Sequence, residues 1–113
     1  MQFINGAAVM IRGDSDSISV ACKNPDGTPR PLVVGDKVYF TVKVTTEYTE
    51  KLLQKVVETF QDGVANILIM PEDTKSLKPG KYVFDVQISF ADGTVTTIVK
   101  PQMFILDGDV THE

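Results

Sequence analysis

The sequence predicts an all-β domain, an antiparallel sandwich or barrel of roughly seven or eight short strands. Three observations carry that prediction. Apolar residues recur at every second position in several runs, the pattern of a strand with one buried and one wet face. Groups of Gly, Pro, Asp and Asn interrupt those runs about every ten residues. Asp62-Gly63 and Asp92-Gly93 each stand between two runs suited to strands, and such a pair favours a tight hairpin turn.

The clearest element opens at Lys78-Pro79-Gly80. Tyr82, Phe84, Val86, Ile88 and Phe90 then fall on alternate positions, with Lys81, Asp85, Gln87 and Ser89 between them. Asp92-Gly93 supplies the positive backbone dihedrals of a reversal. The return run, 94–100, is rich in Thr, Val and Ile, which suit a pleated surface. The other strands are expected to pack on the aromatic face of this long hairpin.

The rest follows in order. Residues 7–12 are apolar enough for a first strand, and 12–16 are polar and suit a bend. Residues 17–23 alternate and predict a second strand, with Cys22 on the face of Ile18 and Val20. Asn24-Pro25-Asp26-Gly27-Thr28-Pro29 is a dense turn signal. Pro29 and Pro31 restrict 30–34 to a sheet edge or a link. Val38, Phe40, Val42 and Val44 share one face of a core strand. The stretch 45–60 has two readings. Leu52, Leu53, Val56, Val57 and Phe60 have helical spacing, with Thr49 as a cap. The favoured alternative is a loop over 45–51 and a strand over 53–61, turning at Asp62-Gly63 into a strand over 64–69. Pro71 to Leu77 suits a turn or a single helical turn, with Leu77 plugging the core's edge. Pro101 breaks the ladder locally, and Met103 to Leu106 forms a last strand.

The chain has 113 residues, which suits a single domain able to bury a core without staples. Residues 1–6 and 107–113 are expected as flexible ends. Hydrophobic residues make up 42% and charged residues 23%, a globular rather than disordered composition. The net charge of −4 argues against a nucleic-acid partner, which calls for a basic face. No apolar run approaches the ~20 residues of a membrane span. The first residues lack the basic start and apolar centre of a secretory signal. The expected chain is therefore made in the cytoplasm, or already trimmed of its signal. One cysteine excludes an internal disulfide, and Cys22 is expected as a small buried hydrophobe.

Motifs that could carry chemistry are weak. Arg12-Gly13-Asp14 matches an adhesion tripeptide, but a polar bend explains it as well. Asp14-Ser15-Asp16-Ser17 resembles the start of a calcium loop, yet Ser19 and Pro25 stand where that loop needs Gly and a bidentate Glu. A phosphatase nucleophile motif would need a parallel α/β sheet. The pairs Glu72-Asp73 and Asp107/Asp109 lie by turns or in a tail, where carboxylates are usually solvated. His112 is the only histidine, close to the chain end, so nucleophilic triads and zinc sites lack partners. Lys75, Lys78, Lys81 and Lys100 suit a solvated rim. No catalytic, metal or cofactor site is expected. Tyr48, in the uncertain loop, is the residue chosen as a possible contact surface.

Phe60-Gln61-Asp62-Gly63-Val64-Ala65, Ile69-Met70-Pro71-Glu72-Asp73-Thr74 and Leu77-Lys78-Pro79-Gly80-Lys81-Tyr82 carry a resemblance of pattern. So do Asp92-Gly93-Thr94-Val95 and the closing run from Phe104 to Thr111. In these segments the chain resembles immunoglobulin-like structural domains of tailed phages and prophages. The likeness is to the N-terminal module of baseplate upper proteins and related tail or fibre accessory proteins. It differs at Pro101-Gln102, where that family has Gly before the last strand. The resemblance implies an immunoglobulin-like antiparallel β-sandwich without a disulfide and without enzymatic activity. It implies a virion structural protein, made in the bacterial host cytoplasm, whose partners are other phage structural proteins or further copies of itself. It implies neither nucleic acid nor membrane as partner. The alternative is a binding module of a bacterial surface protein that recognises glycan or protein.

Overall fold

The computed structural model describes residues 1–108. In chain order its elements are β1 (Gln2–Ile4), β2 (Ala7–Ile11), β3 (Asp16–Val20), β4 (Cys22–Lys23), β5 (Pro29–Arg30), β6 (Lys37–Lys43), β7 (Leu53–Val57), β8 (Ala65–Ile69), α1 (Pro71–Lys75), β9 (Gly80–Ser89) and β10 (Val95–Asp107). The domain is all-β apart from the one helical turn, as expected. Six strands form one sheet in the order β1-β2-β10-β9-β6-β7, while β3 pairs with β8 and β4 with β5. Buried side chains from all three sheets belong to one core.

The expected central hairpin is β9–β10. It runs antiparallel from Ser89–Val95 down to Gly80–Leu106. Phe84, Val86, Ile88 and Phe90 are buried, as their alternation requires. Tyr82 is half-buried and donates its hydroxyl to the Lys78 carbonyl. Phe40 on β6 lies 5.6 Å from Phe84 and 6.2 Å from Phe104, ring centre to ring centre. Phe84 and Phe104 lie 6.3 Å apart, edge to face. This trio knits the three middle strands together by contacts that exceed plain area burial in strength.

Several expectations need correction. The six-stranded sheet is mixed rather than antiparallel, because β2 runs parallel to β10, with Ala8 opposite Phe104 and Met10 opposite Leu106. There are more strands than expected, since β1, β4 and β5 are short pieces below the resolution of a pattern argument. Residues 2–4, expected at a flexible end, pair with β2 as β1. The expected flexible end 107–113 begins with Asp107 inside β10, and 109–113 lie outside the described residues. The strand expected over 17–23 is two strands, because β3 pairs with β8 and Cys22–Lys23 turns to β5. Cys22 is buried, as expected.

The stretch 45–60 holds no helix. Residues 53–57 form β7, antiparallel to β6 with Val57 opposite Val38 and Leu53 opposite Val42. β-Branched Val56 and Val57 lose rotamer freedom in a helix, and the open edge of β6 offers them a ladder. The Asp62-Gly63 turn exists, but the strands it joins do not pair as a hairpin. Gln61 and Val64 form an isolated bridge, after which β7 belongs to the large sheet and β8 to the pair with β3. Pro71–Lys75 is the expected helical turn, and Leu77 packs on the core. Pro101 breaks the ladder locally, as expected: it lies within the register shift between Val99 and Gln102, and β10 continues through it.

Three of the Asp-Gly pairs, at 26–27, 62–63 and 92–93, close two different kinds of turn. At Asp62 (φ 54°) and Gly63 (φ 75°) both residues are left-handed, and Gln61 and Val64 exchange both backbone bonds, a tight two-residue turn. At Asp92-Gly93 only Gly93 has positive φ. Gly93 N–H donates to the Phe90 carbonyl, Phe90 N–H donates to the Thr94 carbonyl, and Asp92 Oδ1 accepts from Thr94 N–H (2.9 Å) and hydroxyl (2.7 Å). Asp26-Gly27-Thr28 repeats that arrangement bond for bond, at 2.9 and 2.6 Å to Asp26 Oδ1. The threonine after Asp-Gly marks the wider loop, because its two donors hold the Asp carboxylate in a side-chain turn.

Candidate functional site

A cleft of about 740 Å³ lies open along one side of the domain. Its walls come from β3 and from the first half of β10. Ser17, Ile18, Ser19, Val20 and Ala21 line one side, and Ile98, Val99, Lys100 and Gln102 the other. Phe84 and Val86 of β9 form the floor, and Phe3 of β1 borders it. Each position follows from pleat and register. Phe3 stands opposite Ala8, a core position, whereas its neighbour Ile4 stands opposite Ala7 on the other face.

Both walls are strand edges. β3 pairs on one side only, with β8. β10 has β2 beside it at Phe104 to Asp107, so its earlier part has β9 on one side and open space on the other. Among the described residues, no other backbone bond covers either edge. Unpaired strand edges present rows of N–H and C=O groups that bind extended polypeptide. Among the described residues that line the cleft, Lys100 is the one charged side chain, and most of the rest are apolar.

A second cluster joins the segment 30–36 to the β9–β10 loop. The Arg30 guanidinium carbon sits 3.7 Å from the centre of the Phe90 ring, a cation–π contact. Asp36 is buried and its carboxylate is fully used. Oδ2 accepts from Val33 N–H and Oδ1 from Ala91 N–H, each at 2.9 Å. That pins the 33–36 turn to the β9–β10 loop. Beyond the pin, Val33 is exposed and Val34 is 94% exposed. Asp26 and Asp92 are both held below the ordinary carboxylate range, first by the hydroxyl donated from Thr28 or Thr94 and then by the same residue's N–H. Arg30 adds a smaller effect at Asp92.

The sequence motifs serve the framework. Arg12 turns back onto the end of α1, donating from Nε to the Leu77 carbonyl at 2.9 Å and from Nη2 to the Lys75 carbonyl. Gly13 N–H donates to the hydroxyl of buried Thr74 at 2.8 Å. A cation at a helix C-terminus satisfies carbonyls left without partners. The Arg12-Gly13-Asp14 tripeptide is thereby tied down rather than projected. Asp73 accepts from Met70 N–H at 2.7 Å and pairs with Lys55 at 2.7 Å, so one member of the Glu72-Asp73 pair caps α1. Asp16 pairs with the Met1 amine and accepts from Ser17 N–H.

Tyr48 is 54% exposed in a turn where its N–H donates to the Thr45 carbonyl. It does not line the cleft. His112 and Asp109 lie outside the described residues. Among the described residues, no three His, Cys, Asp or Glu side chains gather to hold a metal ion. No described helix is long and apolar enough to cross a membrane. Sequence reasoning missed the cleft, Asp36 and the Arg12 clamp. Only the Thr after Asp-Gly, and the lack of Lys or Pro in β3, were readable hints.

No family model matches the chain. No curated protein matches it either.

Proposed function

We propose that this chain is a non-enzymatic structural module of a phage or prophage virion, an immunoglobulin-like β-sandwich that works by protein–protein assembly. The observation that carries the assembly reading is the uncovered apolar cleft between the edges of β3 and β10. Such a surface recognises extended backbone and alternating side chains, which is the chemistry of strand addition. The sandwich reading is supported by strands of the six-stranded sheet and of the β3–β8 pair burying their inner faces in one core. The phage assignment rests on the resemblance of the segments around Asp62-Gly63, Leu77 to Tyr82 and Asp92-Gly93.

Glycan recognition calls for an aromatic platform. Among the described residues the ring–ring pairs are Phe40, Phe84 and Phe104 in the core, and Tyr48 belongs to none of them. The assembly reading is therefore preferred.

Mass spectrometry of purified particles from a host carrying the gene tests the proposal. The expected result is peptides of this chain at stoichiometric abundance with other tail proteins. Particles whose other tail proteins are detected and whose spectra lack this chain refute it.

A further inference from the structure

Val34 is the most exposed large apolar side chain among the described residues, at 94%. It stands second in the turn 33–36, where the Asp36 N–H donates to the Val33 carbonyl at 3.0 Å and Gly35 has φ 101°. Such positions ordinarily take Pro or a small polar residue, so the turn itself does not call for valine there. Val33 beside it is exposed as well. The pair is held from both sides. Before it, Leu32 is buried and donates its N–H to the Gly63 carbonyl at 3.0 Å. After it, Asp36 accepts from the Val33 and Ala91 N–H groups. A rigid apolar tip has little freedom left to lose on binding.

The same chain carries a receptacle of matching chemistry. The floor of the β3–β10 cleft, Phe84 and Val86, is the buried core itself. The groove beside Ile4, Val83 and Met103 is smaller, about 540 Å³, and reaches no buried residue. The charges match too. Lys100 borders the cleft, and exposed Asp92 lies in the β9–β10 loop that Asp36 ties to the tip. Of the cations near the tip, Arg30 is engaged over the Phe90 ring and Lys37 with Glu58 at 3.5 Å. Tip and cleft share no residue, so one copy can offer both at once. We infer that the Val33–Val34 tip of one copy seats in the β3–β10 cleft of the next, with Asp92 toward Lys100. The inference rests on the assembly reading above and names the partner at that site, which fills the cleft with side chains rather than with an added strand. The contact is heterologous and repeats head to tail, so it builds a ring or a filament.

Magnetic resonance on two complementary variants of the full chain tests this. One, isotope-labelled, carries Val34→Asp and keeps its cleft. The other, unlabelled, carries Ile18→Glu in the cleft and keeps its tip. Neither can chain with itself, and together they make one contact. The unmodified chain, which also keeps its tip, serves as partner where Ile18→Glu disturbs the fold. Amide shifts are expected at Ser19, Val99 and Lys100, rising with partner concentration to a dissociation constant of roughly 0.1–1 mM, as suits two small side chains. Adding Val34→Asp to the unlabelled partner abolishes them. Lys100→Glu in the labelled chain alters an exposed side chain, sets like charges together and weakens the contact about threefold or more. No shifts with up to about 2 mM partner overturn the inference and leave the virion assignment to the particle spectra. Shifts that survive Val34→Asp in the partner, or that centre on Ile4 and Met103, place the contact elsewhere and overturn it too. An affinity indifferent to Lys100→Glu overturns the seating.

Discussion

Asp36→Ala is expected to loosen two loops at once. The wild-type carboxylate gives each oxygen one backbone N–H, from Val33 and Ala91, at 2.9 Å, in a site only 4% exposed. Hydrogen bonds to a charged group contribute about 1.5–3 kcal/mol each, and a buried N–H left without a partner costs about as much. Two such bonds, less the cost of keeping a carboxylate out of water, leave a net loss of about 3 kcal/mol. A chain of this size has an unfolding entropy near 0.24 kcal/mol/K, so Tm should fall by about 12 °C. Asp36→Asn keeps one acceptor and loses the other, which predicts about half that fall. Thermal melts followed by circular dichroism read both values. Hydrogen exchange at the Ala91 amide should quicken in step. An alanine variant melting within about 2 °C of wild type would refute the claim that this carboxylate pins the loops.

Other outcomes follow from the same geometry. Phe104→Ala removes the ring that meets both Phe40 and Phe84 and should cost about 3–5 kcal/mol in denaturant unfolding. Gly63→Ala brings a Cβ to 2.7 Å from Pro31 Cβ and 2.9 Å from its Cα, at a φ of +75°. It should therefore destabilise clearly more than Gly27→Ala, where φ is +89° but the space is open. Asp26 and Asp92 have lowered folded-state pKa values, so their contribution is present above the unfolded value and is lost as pH falls through the folded one. Thr28→Val with Thr94→Val should thus be less stable than wild type near pH 7, and the gap should close below pH ~4. A gap of constant size from pH 7 to 3 would contradict the hydroxyl–carboxylate bonds.

The alternating runs were legible because a strand with one dry face writes its period into the sequence. That holds for β6, β8 and β9, where Val38, Phe40, Val42, Ile67, Ile69, Phe84 and Val86 are all buried. Asp-Gly marked the reversals at 62–63 and 92–93, though not their kind. Pairing was illegible for a different reason. Nothing local in Leu53–Val57 or Ala65–Ile69 says that they join different sheets, since that is settled by which edges remain open. The parallel β2–β10 ladder joins distant segments and leaves no local trace. The candidate site is harder still, for an uncovered edge is defined by what does not lie beside it. Asp36 read as a turn residue next to Gly35, and only its burial and two partners reveal its role.

The parallel ladder has a consequence for synthesis. Ala8 meets Phe104 and Ile11 meets Asp107, so β2, which has β1 beside it from the start, gains its parallel partner only after about a hundred further residues have left the ribosome. Until then β9 and β6 can zip together, while Ala8 and Met10 remain oily and unclaimed. Nascent chains stalled before Phe104 should therefore depend on chaperones far more than chains released past Asp107.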